Sequence, residues 1–205
     1  MRYAMAIDLK RCVGCHTCSM ACKVENNLPN DVWWNKVLTV GGEEIDTAEG
    51  IYPNNEKQFL PVNCQHCENP SCVKACPVGA TYKRKEDGIV IQDYDKCIGC
   101  RYCMVACPYN VRQFNWKKPE YVVDFAVGDA AVTPHQYNTV EKCTFCTHRL
   151  AQGLEPACIK ACPARARYFG DIDDPESDVS KAVRGKSHFQ LLDEKGTKPA
   201  VFYLK

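Results

Sequence analysis

Cys97 to Pro108 reads CIGCRYCMVACP: four cysteines spaced C-x2-C-x2-C-x3-C and closed by a proline. Working outward, Asp93 to Cys103 reads DYDKCIGCRYC, and Asp8 to Cys18 reads DLKRCVGCHTC. One motif is written twice: an acid, a basic residue, then C-[VI]-G-C-x-x-C. A second motif is also duplicated, as CVKACP at Cys72–Pro77 and CIKACP at Cys158–Pro163. All 16 cysteines fall into four groups of four. They are Cys12, Cys15, Cys18, Cys22; Cys64, Cys67, Cys72, Cys76; Cys97, Cys100, Cys103, Cys107; and Cys143, Cys146, Cys158, Cys162. The order is type one, type two, type one, type two, as an internal duplication produces.

Cysteines at i, i+3 and i+6 wrap a loop around one face of a cuboidal [4Fe-4S] cluster, and the C-x2-C-x2-C-x3-C-P run is the bacterial two-cluster signature in which the fourth cysteine serves the other cluster. Gly14 and Gly99 supply backbone angles that other residues resist. Successive N–H groups in such a loop point at sulfur and stabilise negative charge. A short helix then carries the chain away until Pro77, Pro108 or Pro163 stops it, since the residue before proline is pushed out of the α region. The first group has Lys23 in place of that proline. A disulfide framework has no reason to repeat this spacing four times. Structural zinc suits the fourth group in isolation, Cys143-x2-Cys146 with Cys158-x3-Cys162, but not the tight triplets of the first and third.

The 205 residues are a prior for one or two domains. No apolar run approaches the ~18 residues that span a bilayer. Met1 to Arg11 has no secretory h-region, so assembly is expected in the cytoplasm, where thiols persist as ligands. Export or membrane association then depends on a partner. The formal net charge of +1 counts every cysteine as neutral. Four oxidised clusters with their thiolates, at about −2 each, take the holoprotein to roughly −7. A nucleic-acid partner would require a basic excess.

The segments between groups decide how they pair. Twenty residues, Pro77 to Lys96, separate groups two and three. They read as a β-hairpin, Ala80–Lys85 and Ile89–Gln92 around a turn at Asp87-Gly88. The other two gaps, 41 and 35 residues long, carry turn residues (Pro29, Gly41-Gly42, Pro53-Asn54-Asn55, Pro119, Gly128, Pro134) and read as insertions with some strand content. The gap lengths favour an inner unit of groups two and three nested within an outer unit of groups one and four. Spacing alone leaves open the pairing one with two and three with four. The expected architecture is α+β: a split outer ferredoxin-like unit (1–59 and 111–170), an inner one (60–110) and a C-terminal tail (171–205). The tail is charged and loop-like at DIDDPESD and closes with a strand at Ala200–Leu204.

At this level the chain resembles the four-cluster electron-transfer subunits of molybdopterin oxidoreductases of the dimethyl sulfoxide reductase type. The iron–sulfur subunits of polysulfide reductase and formate dehydrogenase are similar. The likeness rests on the order of the four groups, on NCQHCENPSCVKACP and CIGCRYCMVACPY, and on the closing GTKPAVFYL. It implies shared ligation: Cys12, Cys15 and Cys18 with Cys162; Cys143, Cys146 and Cys158 with Cys22; Cys64, Cys67 and Cys72 with Cys107; and Cys97, Cys100 and Cys103 with Cys76. Some such proteins place tryptophan at the position of Cys100 and hold a three-iron centre. Cysteine there implies four [4Fe-4S] clusters. The resemblance further implies a non-catalytic chain with no substrate of its own, wired between a catalytic molybdopterin (molybdenum or tungsten) subunit and a membrane quinol-interacting or soluble partner. A hydrogenase or cytochrome-linked quinol system is the alternative partner, and a zinc-stabilised interaction module the remote one.

Basic residues sit beside every group: Lys10, Arg11, Lys23, Lys74, Lys96, Arg101, Lys142 and Lys160. They either tune cluster potentials or form a solvated face. His16, His66 and His148 are expected to pack or hydrogen-bond near sulfur rather than ligate. Trp33, Trp34 and Trp116 suit either a subunit interface or the core. No nucleophile motif, Walker loop or dinucleotide fingerprint is present.

Overall fold

The computed structural model describes residues 1–41, 44 and 46–205. Gly42, placed in a turn by the sequence, lies outside the described residues. Strand β1 (Tyr3–Asp8) lies inside a four-stranded sheet. Its alternation serves two cores: Met5 and Ile7 face the main one, while Ala4 and Ala6 face a second. Helix α1 (Thr17–Glu25) follows, then an antiparallel pair, β2 (Asn35–Val40) with β3 (Gln58–Asn63), in the first insertion. Residues 64–107, which carry the second and third cysteine groups, contribute α2 (Ser71–Lys74), β4 (Thr81–Lys83), β5 (Val90–Gln92) and α3 (Tyr102–Val105). β4 and β5 pair antiparallel with Thr81 opposite Gln92. The expected hairpin is present, and Gly88 in its loop has φ +74.

The second insertion holds the pair β6 (Gln113–Phe114) and β7 (Val140–Glu141). Helices α4 (Thr147–Ala151) and α5 (Ala157–Lys160) carry the fourth group. Strand β8 (Arg167–Asp171) then runs antiparallel to β1. The proline rule is legible in helix length. α2, α3 and α5 span four residues each and end just before Cys-Pro. α1, with Lys23 where proline would stand, runs nine.

The C-terminal segment differs from the loop-like tail expected. Asp178–Gly185 forms helix α6, N-capped by Ser177, whose Oγ accepts from the Ser180 N–H at 3.2 Å. Strands β9 (His188–Phe189) and β10 (Val201–Leu204) follow. The closing strand was expected; its position was not. β10 lies between β1 and β9, parallel to β1 with Met5 opposite Val201. The sheet order is β8-β1-β10-β9. Its small residues Ala4 and Ala6 let α6 pack close through Val179. Its other face, with Met5, Ile7, Phe169, Val201 and Tyr203, covers a core that contains Cys22, Cys64, Cys143 and Cys158.

A buried pair joins the second insertion to α1. His135 Nδ1 lies 2.8 Å from Glu141 Oε1, and its Nε2 lies 2.8 Å from the Asn26 carbonyl oxygen. Burial opposes a charge on this ring, but the Glu141 carboxylate and the Asn26 carbonyl outweigh it and hold His135 above its usual range. A pKa raised by folding stabilises the protein below the unfolded value of about 6.5, and that stability is lost as pH rises through the folded value. The denaturation midpoint of the iron-loaded protein is therefore expected to fall as pH rises across this window. The slope should flatten in His135→Gln; an equal slope in that variant would assign the pH dependence elsewhere.

Candidate cluster-binding sites

The repeated acid has a structural role. Asp8 Oδ1 accepts from the N–H groups of Lys10 (3.1 Å) and Arg11 (3.2 Å), which turns the chain into the first cysteine loop. Asp93 Oδ1 does the same for Asp95 (3.1 Å) and Lys96 (3.2 Å) before the third. Two left-handed residues shape each loop: Gly14 (φ 67) with His16 (φ 56), and Gly99 (φ 70) with Arg101 (φ 62). A Cβ on Gly99 would lie 2.6 Å from the Asn138 carbonyl oxygen. Gly99→Ala is expected to cost about 1–3 kcal/mol through strain alone. Its measurement is the denaturation midpoint of iron-loaded protein, and an unchanged midpoint would count against this role for the glycine.

Groups two and four share a different design. Pro70 and Pro156 start the short helices α2 and α5. His66 (φ 41) and Phe145 (φ 55) occupy equivalent positions, two residues past Cys64 and Cys143. Their rings stack with centroids 3.7 Å apart, so the second and fourth groups meet back to back in the core. His66 Nδ1 accepts from the Val90 N–H at 3.2 Å, and burial holds the ring neutral. Its Nε2 therefore carries the proton, and that buried atom has no protein partner.

The fold gathers the cysteines into small apolar cavities. Site A is lined by Cys12, Cys15, Cys18 and Cys162. Site B is lined by Cys22, Cys143, Cys146 and Cys158. Site C is lined by Cys64, Cys67, Cys72 and Cys107. In the fourth set, burial pushes the Cys103 thiol up, and Cys97 and Cys76 are among the groups that act on it. Cys100 lies half-buried on the same loop; we call this set site D.

Backbone N–H groups already approach sulfur: Thr81 to Cys76, Phe145 to Cys143 and Ala166 to Cys162, each at 3.4 Å. The Asn26 amide lies 3.7 Å from Cys22 Sγ and 3.9 Å from Cys146 Sγ. Burial raises the thiols of Cys22, Cys143 and Cys158, and pushes Cys67 and Cys146 up to about 12. Loading metal here must release protons, because the ligand is the thiolate.

Two further tests of fit favour a cuboidal cluster. Buried donors without a protein partner, Trp34 Nε1 and Asn35 Nδ2, belong to residues lining site B. Zinc–sulfur bonds of about 2.3 Å would put thiolates under about 4 Å apart. Among the described residues, the one set of three or more His, Cys, Asp or Glu ligand atoms within 4.8 Å of one another is Glu25, Asp129 and His148. Among the described residues no set of three or more cysteines closes to that spacing. In that carboxylate–histidine set the charge of Glu25 is matched by Arg149 Nη1 at 3.1 Å, and His148 Nε2 lies 3.0 Å from Glu25 Oε1.

Most of the basic residues singled out in the sequence are a solvated face: Lys10, Arg11, Lys74, Lys96, Arg101 and Lys160 are exposed. Lys23 is half-buried and donates to the carbonyls of Pro29, Asn30 and Val32. Lys142 alone of them is buried. Two buried cations, Arg112 and Arg167, escaped the sequence reading. Their signal was present: both stand five residues past the last cysteine of a group, in C-P-x-x-x-R at Cys107–Arg112 and Cys162–Arg167. The tryptophans divide. Trp34 is core, whereas Trp116 is exposed beside the third group, with the Arg101 guanidinium 4.7 Å from its ring.

Thiols gathered four at a time in ferredoxin-type loops define an iron–sulfur electron carrier. The chain belongs to the 4Fe-4S dicluster domain family, whose profile matches residues 55–122 and 129–172. A second 4Fe-4S dicluster profile matches residues 96–150. The chain is 54% identical to a Halobacterium salinarum protein that carries the name of a dimethyl sulfoxide reductase iron–sulfur subunit, over 98% of this chain and 78% of that one. It is 42% identical to the arsenate respiratory reductase iron–sulfur subunit of a Shewanella species, over 100% and 97%. It is 44% identical to a selenate reductase subunit of Mesobacillus selenatarsenatis, over 100% and 72%. This is an electron-transfer protein, a subunit of the reductase type, and its 16 cysteines provide for four [4Fe-4S] clusters.

Proposed function

We propose that the chain relays single electrons, through clusters at sites A to D, between a catalytic molybdopterin (molybdenum or tungsten) subunit and a membrane quinol-interacting or soluble redox partner. The observation that carries this reading is the lining of sites A, B and C. Each joins three cysteines of one group to the last cysteine of another, in the nested pairing. The outer unit (1–59 and 111–170) then holds sites A and B, and the inner unit (60–110) holds C and D. Bound there, each cluster supplies one-electron redox chemistry.

The protein's own residues do the rest. Sixteen thiolates fix the clusters, N–H groups stabilise charge on sulfur, and the buried walls of site B exclude water. Cys15 of site A is exposed, as are Ile98 and Tyr102 beside site D, so these two sites suit the partner-facing ends. Val122, Phe125 and Val127 form a further exposed apolar stretch fit for a large partner. Among the described residues no helix is long and apolar enough to cross a membrane. Terminal-substrate chemistry is assigned to the catalytic subunit, and assembly to the cytoplasm before any export with a partner.

The test is metal content of the native complex purified without oxygen. About sixteen iron with about one molybdenum or tungsten per copy of this chain supports the proposal. About sixteen iron with neither metal reassigns the partner to a hydrogenase or cytochrome system. Little iron with abundant zinc overturns the reading.

A further inference from the structure

Among the described residues three basic side chains are buried in the interior: Arg167, Lys142 and Arg112. Among the described residues none of them has a carboxylate oxygen within ion-pairing reach of 4.0 Å. An unpaired buried charge is strongly destabilising, so each needs an anion from another source. Their surroundings supply thiols, and for each cation the thiols come from two sites.

Arg167 lines site A, with Nη2 3.4 Å from Cys18 Sγ. The same Nη2 donates to Asn35 Oδ1 at 3.2 Å, and Asn35 lines site B, where the Arg167 charge acts on Cys158. The Lys142 ammonium is held by the carbonyl oxygens of Val90 and Cys143. Val90 lines site C and Cys143 lines site B. Arg112 lines site C, where Cys72 acts on its charge, and its Nη1 reaches Thr81 Oγ1 at 3.4 Å, the residue whose N–H donates to Cys76 Sγ of site D. Its Nη1 is fixed by Gln92 Oε1 at 3.0 Å, and its Nη2 is buried without a protein partner. The same junctions show in the thiols, since Cys18 acts on Cys158, Cys64 on Cys143, and Cys72 on Cys103.

We propose that Arg167, Lys142 and Arg112 are junction cations, each standing between two neighbouring clusters (A and B, B and C, C and D) and raising the reduction potential of both. The proposal rests on the ligand sets assigned above. Reduction adds one electron and one negative charge to a cluster, with no bond made or broken. A fixed cation at the junction favours that added charge on either side and weakens the repulsion between two anionic neighbours. These are positioning charges rather than ligands. Their mark is that each acts on two clusters at once.

The test is an anaerobic titration of the native complex with dithionite, followed by EPR, with iron measured alongside. Wild type should hold about sixteen iron per copy of this chain and show four reducible centres; failure here defeats the ligand reading itself. With that met, Arg167→Gln should lower two of the four potentials, each by a tenfold change in the one-electron equilibrium, 59 mV. Arg112→Gln should lower the other two, and Lys142→Gln one of each pair. Should a glutamine variant lose iron, Asn35→Asp and Gln92→Glu keep the arginines and place a countercharge against them, because Asn35 Oδ1 accepts from Arg167 at 3.2 Å and Gln92 Oε1 from Arg112. These two should lower the same disjoint pairs. Shifts in one centre only, in all four alike, or in none would overturn the proposal while leaving the four-cluster reading intact.

Discussion

Protein stripped of iron is expected to lose its cooperative unfolding transition. Three features of the structure lead there. Cys22, Cys64, Cys143 and Cys158 sit within the main core, which packs around the cluster cavities rather than filling them. Helices α2, α3 and α5 are four residues long, far below what is stable alone, and each carries cluster ligands. Most costly, Arg167, Lys142 and Arg112 would remain buried without the anionic clusters. Burial raises many of the surrounding thiols, so few thiolates replace that charge. A buried unpaired ion costs on the order of several kcal/mol, and the two arginines, which stay charged, rival the ~5–15 kcal/mol that holds a typical domain together, while burial lowers the pKa of Lys142 toward its neutral form. Anaerobic chelation followed by thermal circular dichroism should show a broad, shallow melt where the loaded protein melts sharply. A sharp transition in iron-free protein would mean that the sheet and α6 carry the fold unaided.

What the sequence discloses and what it conceals follow from how local each cause is. The cysteine loops, the β4–β5 hairpin and the proline-stopped helices are set by residues a few positions apart, and they appear where the motifs put them. The longer α1 is equally local, since Lys23 leaves the helix unbroken. The central sheet is different. β1 pairs with β8 and β10 from the far end of the chain, and nothing near Tyr3–Asp8 names those partners. Helix α6 hid in a polar stretch, where Ser177 is an ordinary N-cap but Val179, Ala182 and Val183 give only a thin apolar stripe. Arg112 and Arg167 were legible as a repeated C-P-x-x-x-R but lay outside the cysteine groups. Among many basic residues, only burial separates them from the solvated ones.

The double substitution Cys15→Ala with Cys162→Ala is expected to leave about twelve iron per chain, no fewer than either single change. The fold gives the reason. β1 and β8 pair antiparallel with Ile7 opposite Arg167, and the Asp8 N–H donates to the Ala166 carbonyl at 2.7 Å. β1 ends by launching the first cysteine loop, and β8 begins just after Cys162. One pair of strands thus sets the last cysteine of the chain against the first three, and Ala166 N–H fixes Cys162 Sγ from its own side at 3.4 Å. Two ligands removed from one cluster cost that cluster once. If the groups paired one with two and three with four, Cys162 would serve the third group's cluster, and the double variant would lose two clusters and keep about eight iron. Cys22→Ala with Cys146→Ala repeats the comparison at site B, whose four cysteines are all buried. There the same twelve-iron outcome is expected, and eight iron in either double variant would break the nested pairing.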